Sequence, residues 1–347
     1  MRVTLTQVAK RAGVSLASAS RALNGESASA RTVELVERAA HDLAYVPDAR
    51  AQSLKLGTTR QLAFAVADVG NHVYVEMMRA VEDTVRHEGY RILISSTGSA
   101  VAAEIELLQG LRRGYADGLI ISPLRINDDL LVELGRLRIP AVVIGNLPAT
   151  VALDNVRANS AAGVGLAVDH LVAQGRRRIG FVNGPLDTTP GQIRGEAFAA
   201  ACRRWDLDPA ATHTVVADDF TFPAGAEAAA DLLGRVGSEL DAVLTANDLI
   251  AAGTYHAAFA LGLQIPDQLA VVGMDDSALA SQLHPTLTSV GLGSAARGRQ
   301  AAELLLSRLR DPNRPTMRVV VEPELVVRSS TGTDRPAEPP TTKGTRP

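Results

Sequence analysis

With 347 residues, 46% of them hydrophobic, the chain exceeds what one hydrophobic core usually serves, so two or three domains are expected. No stretch approaches the roughly 20 uninterrupted apolar residues of a membrane span, Met1 to Lys10 holds no apolar run of an export signal, and the lone Cys202 excludes an internal disulfide and a multi-cysteine metal cluster. These exclusions lead to the expectation of a cytoplasmic protein with no membrane partner and no cofactor. The net charge of −3 is divided unevenly: Met1 to Arg60 carries nine Lys or Arg against five Asp or Glu, a net +4, and the remainder carries −7. A basic head on an acidic body suggests a polyanion partner for the head alone.

The stretch from Thr4 to about Leu43 is helical in pattern and lacks alternating β-branched runs. Thr4 can cap a first helix, with Gln7 three positions on completing a capping box. That helix stops near Gly13, and Ser15 can cap a second running through LASASRALN to Asn24-Gly25. Ala9 and Gly13 are small where these helices are expected to approach closely, with Val8, Val14, Ala19 and Leu23 between them. A third helix, capped by Ser29, carries Val33, Val36, Ala40 and Leu43 on one stripe. The two-helix spacing alone is equally that of an ordinary helical corner. Position and charge favour a helix-turn-helix, with Leu16, Ala17, Ser18, Ser20 and Arg21 on the outward face of its second helix, where Arg can read guanine and Ser can contact phosphate.

TLTQVAKRAGVSLASASRALNG followed by SARTVELVERAAHDLAYVPDARAQSL resembles the head and hinge of lactose-repressor-type regulators. The resemblance implies a DNA-binding head over residues 1–47 and a hinge helix with its linker over 48–60, the helix pairing with its twin in a homodimer and entering the minor groove through Leu54. So short a helix forms only when paired on DNA; the bland alternative for Leu54 is a linker residue covering the body. Asp48 stands where the family usually has Asn. The full set expected to contact double-stranded operator DNA is Thr4, Ser15, Leu16, Ala17, Ser18, Ser20, Arg21, Asn24, Ser29, Thr32, Ala51 and Leu54.

Beyond Thr58 the apolar runs LAFAV, RILIS, GLIIS, AVVIG, RIGFV, AVLTA and LAVVG alternate with amphipathic segments. Such runs read as parallel strands buried on both faces, hence a doubly wound α/β body over 61–330, most comfortably divided between two similar lobes. Residues 331–347, rich in Pro, Thr and charge, read as a disordered tail. Gly163-Val164-Gly165 lies inside a helix pattern and reads as helix packing rather than a dinucleotide fingerprint. No Walker lysine, G-x-S-x-G elbow or metal-ligand histidine spacing is present. No catalytic residue is nominated, and an enzyme or a solute-binding protein on the same lobes remains the alternative.

The resemblance continues through SPLR after GLII, VVIGN, GPLDTTPGQIRGEAFAAA, DDFTF, LTANDLIAAG and VVGMDDSALASQLHPTLTSV. It implies two periplasmic-binding-protein-like lobes with an effector between them. Carried over by position, it nominates Asp68, Tyr74, Ser122, Asn146, Arg194, Phe220, Asn247 and Asp275. Asn, Asp and Arg can hold adjacent hydroxyls and an aromatic face can cover a sugar ring, so a sugar or sugar-like effector is expected. Individually, Asp275 also reads as a turn or capping carboxylate, Arg194 as a surface ion pair and Phe220 as a core ring. Near Asp68, Asn71 is kept while His72 and Val73 replace the family's usual Pro and Phe, and Leu292 makes one edge of the pocket apolar.

Overall fold

A computed structural model describes residues 3–24, 27–46, 57–208, 212–237 and 239–332. The chain divides into two compact units, Met1–Arg60 and Gln61–Pro347.

In the first unit, α1 (Leu5–Ala12), α2 (Leu16–Leu23) and α3 (Ala30–Asp42) each begin at a hydroxyl cap. The Thr4 box closes in both directions, Gln7 N donating to Thr4 Oγ1 at 3.4 Å and Thr4 N to Gln7 Oε1 at 2.8 Å. Ser15 and Ser29 accept from the amides of Ser18 at 3.1 Å and Thr32 at 3.2 Å. Val8, Ala19 and Val36 are fully buried, and Val14, Leu23, Val33 and Leu43 pack around them. Gly13 acts differently from the close approach expected of it. A Cβ there would meet nothing within 4 Å, and what the position demands is the left-handed φ of +68° that ends α1.

The second unit holds two six-stranded sheets. The first lobe contains β1 (Gln61–Val66), α4 (His72–Arg86), β2 (Arg91–Ser96), α5 (Val101–Leu111), β3 (Gly118–Ser122), α6 (Asp128–Gly135), β4 (Ala141–Ile144) and β5 (Asp154–Ala158). The second contains α7 (Ser160–Ala173), β6 (Ile179–Asn183), α8 (Thr189–Arg204), β7 (His213–Val216), α9 (Phe222–Val236), β8 (Ala242–Thr245), α10 (Asp248–Ala260), β9 (Ala270–Asp275), α11 (Ala278–Gln282) and β10 (Thr288–Gly291). The chain then returns to the first lobe with α12 (Ser294–Arg310) and β11 (Arg318–Val321), and crosses again for β12 (Glu324–Val326). Strand orders are β11-β5-β4-β3-β1-β2 and β12-β10-β9-β8-β6-β7, parallel throughout except for antiparallel β12 on β10.

Alternation along β1 shows why both faces are covered. Leu62, Phe64 and Val66 enter the core beneath α4 and α12, while Ala63 and Ala65 enter the core shared with α5 and α6. β2 departs from the expectation of double burial: it is an edge strand, and Leu93 and Ile94 are exposed. Five strands lie outside the seven expected runs, among them β5, whose sequence DNVRA is mostly polar. Thr331, assigned to the tail from sequence, is instead buried, its hydroxyl 2.9 Å from His170 Nε2 and 3.0 Å from Thr288 Oγ1. The rest of the tail from 333 onward lies outside the described residues, as do Ala51 and Leu54. Gly163 packs as expected, since a Cβ would stand 2.9 Å from Val290 Cγ1. Among the described residues no helix is long and apolar enough to cross a membrane.

Asp154 at the start of β5 fastens α12 and β11 to the first lobe. It accepts from Arg308 Nε at 3.0 Å, Arg314 Nη2 at 2.8 Å and Met317 N at 2.8 Å while only 1% exposed. Removing this carboxylate strands two mostly buried guanidinium groups, so Asp154→Ala should cost about 3–5 kcal/mol. Chemical denaturation measures the loss; a cost below about 1 kcal/mol would show that the cluster is not holding the lobe together.

Candidate functional site

The outward face of α2 carries Leu16, which is 50% exposed, together with exposed Ala17 and Arg21. The hydroxyls around it are already engaged locally. Ser15 Oγ lies 2.9 Å from Ser18 Oγ, Ser29 Oγ lies 2.9 Å from Thr32 Oγ1, and Ser20 Oγ accepts from Asn24 Nδ2 at 3.3 Å. Thr4, Ser15 and Ser29 thus serve as helix caps. Leu16, Ala17 and Arg21 are the side chains left facing outward.

In the body, strand ends of both sheets and the helices that follow them line one cavity of about 270 Å³. All eight residues nominated from the sequence line it. The first lobe supplies Asp68, Tyr74, Ser122 and Asn146; the second supplies Arg194, Phe220, Asn247 and Asp275. Leu292 lines the expected apolar edge. Asn71 caps α4 by accepting from Val73 N at 3.1 Å, which places Tyr74 in the first turn. Burial pushes the Tyr74 phenol up to about 12 despite its bond with Ser122, so it stays neutral.

Arg194 is not on the surface and, among the described residues, is not ion-paired. It is 8% exposed, donates from Nη1 to Ala246 O at 2.6 Å, and holds its guanidinium 5.9 Å from the Phe220 ring centre. Phe220 forms a cleft wall against Gly184, where a Cβ would fall 2.2 Å from the ring. Asn247 is largely committed to architecture. Its Oδ1 accepts from Ile250 N at 2.8 Å to cap α10, and its Nδ2 donates to Phe220 O at 3.0 Å, so it positions the ring. Asp275 does not cap a helix. It and Asp276 hold positive φ values of +118° and +51°, strain that the surrounding lobe sustains at the end of β9. Beneath them Asp248 accepts from Ser277 N at 2.7 Å, Ser277 Oγ at 2.8 Å and Ser289 Oγ at 2.6 Å. Gly273 makes room for this shelf, because a Cβ there would sit 2.4 Å from Asp248 Oδ1. Burial raises the Asp275 carboxyl above the usual range, opposed by neighbouring Arg194.

Sequence reasoning missed Arg297 of α12, which enters the cavity beside Leu292. A signal was present, for an arginine in the first turn of a helix opposes the helix dipole and needs a reason to be there. Arg125, at the mouth, was also missed. It bridges the lobes, donating from Nε and Nη2 to Asp187 at 2.7 and 3.0 Å and from Nη1 to Ser99 O at 3.1 Å. Among the described residues no group of His, Cys, Asp and Glu could hold a metal ion.

Gly184→Ala should drive the Phe220 ring from this wall and cost roughly 1–3 kcal/mol as an overpacking substitution. An unfolding midpoint equal to that of the parent would show that the ring does not need this contact.

Comparisons with known proteins follow the same division of the chain. Residues 4–48 match the model for bacterial regulatory proteins of the lacI family, and residues 168–331 match a periplasmic binding protein-like domain. The chain is 31% identical over 329 residues to the ribose operon repressor of Escherichia coli (strain K12), covering 94% of this chain and 99% of that one. Among solved structures, the Lac repressor dimer bound to operator and the anti-inducer ONPF superposes with a TM-score of 0.85 at 26% identity, covering 95% and 99% of the two chains. A complex of the transcriptional regulator CelR with cellobiose gives 0.71 at 29% identity, covering 95% and 100%.

Proposed function

Since the chain belongs to the lacI family of bacterial regulatory proteins, we propose that it is a transcription repressor whose operator affinity is set by a small effector in the interlobe cleft. The observation that carries this is the coexistence, in one chain, of a hydroxyl-capped three-helix head and a two-lobed cleft lined by all eight nominated residues. It binds a pseudo-palindromic operator as a homodimer. Support for the dimer comes from the similar Lac repressor, solved as a dimer on its operator, and from exposed apolar side chains in both lobes: Leu93 and Ile94 on edge strand β2, and Phe222, Phe259 and Leu261 on the second lobe.

On the DNA, Leu16, Ala17 and Arg21 approach base edges in the major groove while the capping hydroxyls and helix N-termini of the head contact phosphates. Thr4, Ser15, Ser18, Ser20, Asn24, Ser29 and Thr32 form that positioning set. A hinge helix with Ala51 and Leu54, from residues outside those described, pairs with its twin in the minor groove.

In the body, Asp68, Tyr74, Ser122, Asn146, Arg194 and Asp275 bind the hydroxyls of a sugar or sugar-like effector over Phe220, which Asn247 steadies. The cellobiose in the CelR complex and the ribose named for the bacterial relative support this class. The cavity of about 270 Å³ falls just below the roughly 300–1,000 Å³ of drug-sized ligand pockets, which fits a single sugar unit. Effector contacts from both lobes change lobe closure, and closure biases the marginal hinge helix, whose formation governs DNA affinity. Catalysis and a cofactor have no part in this reading.

Footprinting on the DNA upstream of the encoding gene tests the head. Arg21→Ala should lower operator affinity about five- to hundredfold, the range for losing a bidentate base contact. Leu54→Ala should weaken binding and reduce DNA bending, and unchanged values in both would remove Leu54 from the interface.

Arg194→Ala should abolish the effect of ligand on operator binding, read as the shift in DNA affinity on adding effector. A full shift in that variant takes Arg194 out of the effector site.

A further inference from the structure

Arg297 and Arg194 approach the cavity from opposite lobes, Arg297 on α12 and Arg194 on α8. Each has a buried Nε with no hydrogen-bond partner. Their remaining partners are neutral: Ala246 O for Arg194 at 2.6 Å, and Ser294 Oγ for Arg297 at 3.4 Å. Among the described residues neither forms an ion pair within 4.0 Å. Such buried donors are costly unless something pairs with them.

Asp275 acts electrostatically on both guanidinium groups, Asp248 on Arg194 and Glu76 on Arg297, yet among the described residues none of these carboxylates forms an ion pair with either. Of the acids lining the cavity, Asp275 alone is buried; Asp68 and Asp219 are exposed at the mouth with Arg157, where water screens them. Asp248 lies below the lining and is engaged by Ser277 and Ser289. Two guanidinium groups whose buried Nε donors have no partner give this cavity an unmet demand for an acceptor. Helix N-termini add to it, since Asn71, Thr221 and Asn247, the caps of α4, α9 and α10, all border the same cavity. The adverse position of Arg297 in the first turn of α12 makes sense if a ligand anion compensates it.

We propose that the cleft takes a small polyhydroxylated monoanion, a sugar acid, whose carboxylate lies between Arg194 and Arg297 while its carbon skeleton rests on Phe220. This rests on the reading of the cleft as the effector site. A planar carboxylate matches the guanidinium fork, and beside the lining carboxylate of Asp275 a single negative charge is repelled less than the nearly two of a phosphate ester. The cavity of about 270 Å³ leaves room for one sugar unit.

Isothermal titration calorimetry of the full chain tests the assignment with D-gluconate, D-ribonate, D-glucuronate and D-galacturonate, the matching neutral aldoses, and D-glucose 6-phosphate. At least one acid should bind a hundredfold or more tighter than its neutral aldose. Arg297→Leu should weaken that acid at least thirtyfold, and at least tenfold more than it weakens the aldose; Arg297→Gln serves the same purpose if the leucine variant does not fold. Arg297→Lys, which keeps the charge but not the fork, should fall between.

The proposal is overturned if no acid binds, if neutral aldoses bind as tightly as the acids, or if Arg297→Leu leaves acid affinity intact. Tighter binding of the phosphate ester overturns the monoanion and assigns the arginines to phosphate. Binding of neutral aldoses that is lost in Arg194→Ala overturns the acid alone and leaves the cleft as the effector site. Acid binding that survives both Arg194→Ala and Phe220→Ala overturns the cleft reading as well.

Discussion

Three crossings of the chain between the lobes, after β5, after β10 and after β11, are the constraint on which the rest of the body depends. Each leaves from the carboxyl end of a strand, so the carboxyl ends of both parallel sheets must face the same cleft. In a doubly wound sheet the helices following those strands then begin there too, with their free amides and positive dipole ends. The cleft is therefore polar and electropositive by construction before any particular side chain is considered. The crossings also give α12 to the first lobe although the strand before it belongs to the second. Asp154 answers that arrangement by clamping Arg308 and Arg314 where the returning chain docks.

Around this cavity, support and contact are divided between different residues. Asn247 and Asp248, adjacent in sequence, fix the two most conspicuous features of the second lobe. Asn247 caps α10 and holds the backbone of Phe220, while Asp248 gathers Ser277 and Ser289 under the strained Asp275–Asp276 turn. Gly184 and Gly273 are required because the ring and the carboxylate occupy the space where a Cβ would stand. Arginine and aspartate can then face the cavity in fixed geometry, and the Arg125–Asp187 pair at the rim joins the lobes through an exposed, salt-sensitive contact suited to opening and closing.

A regulator of this kind separates marginal and robust elements. The head is secured by local caps and a small apolar core, and the body by three cores, one chiefly in the second lobe and two on the faces of the first lobe's sheet. The proposed hinge helix, too short to persist alone, is the element that an effector can bias with the few kilocalories per mole that differential binding supplies.

Much of this was determined by sequence alone, because it depends on local chemistry. Thr4, Ser15 and Ser29 cap their helices through bonds three residues away, and the apolar runs of β1, β3, β4, β6, β8 and β9 are long enough to declare buried strands. The resemblance to lactose-repressor-type regulators placed eight residues that line the cleft. Tertiary structure decided what depends on distant partners. Polar β5 is a strand because β4 and β11 flank it, exposed β2 is an edge, and Thr331 is buried through contacts with His170 and Thr288. Asn247 proved to be mainly a support, and Arg297, whose place early in a helix was the one local sign in the string SAARGRQAA, proved to line the same cavity as Arg194 from the other lobe. Charge balance in a cleft is a property of residues brought together by the chain crossings, and no local pattern records it.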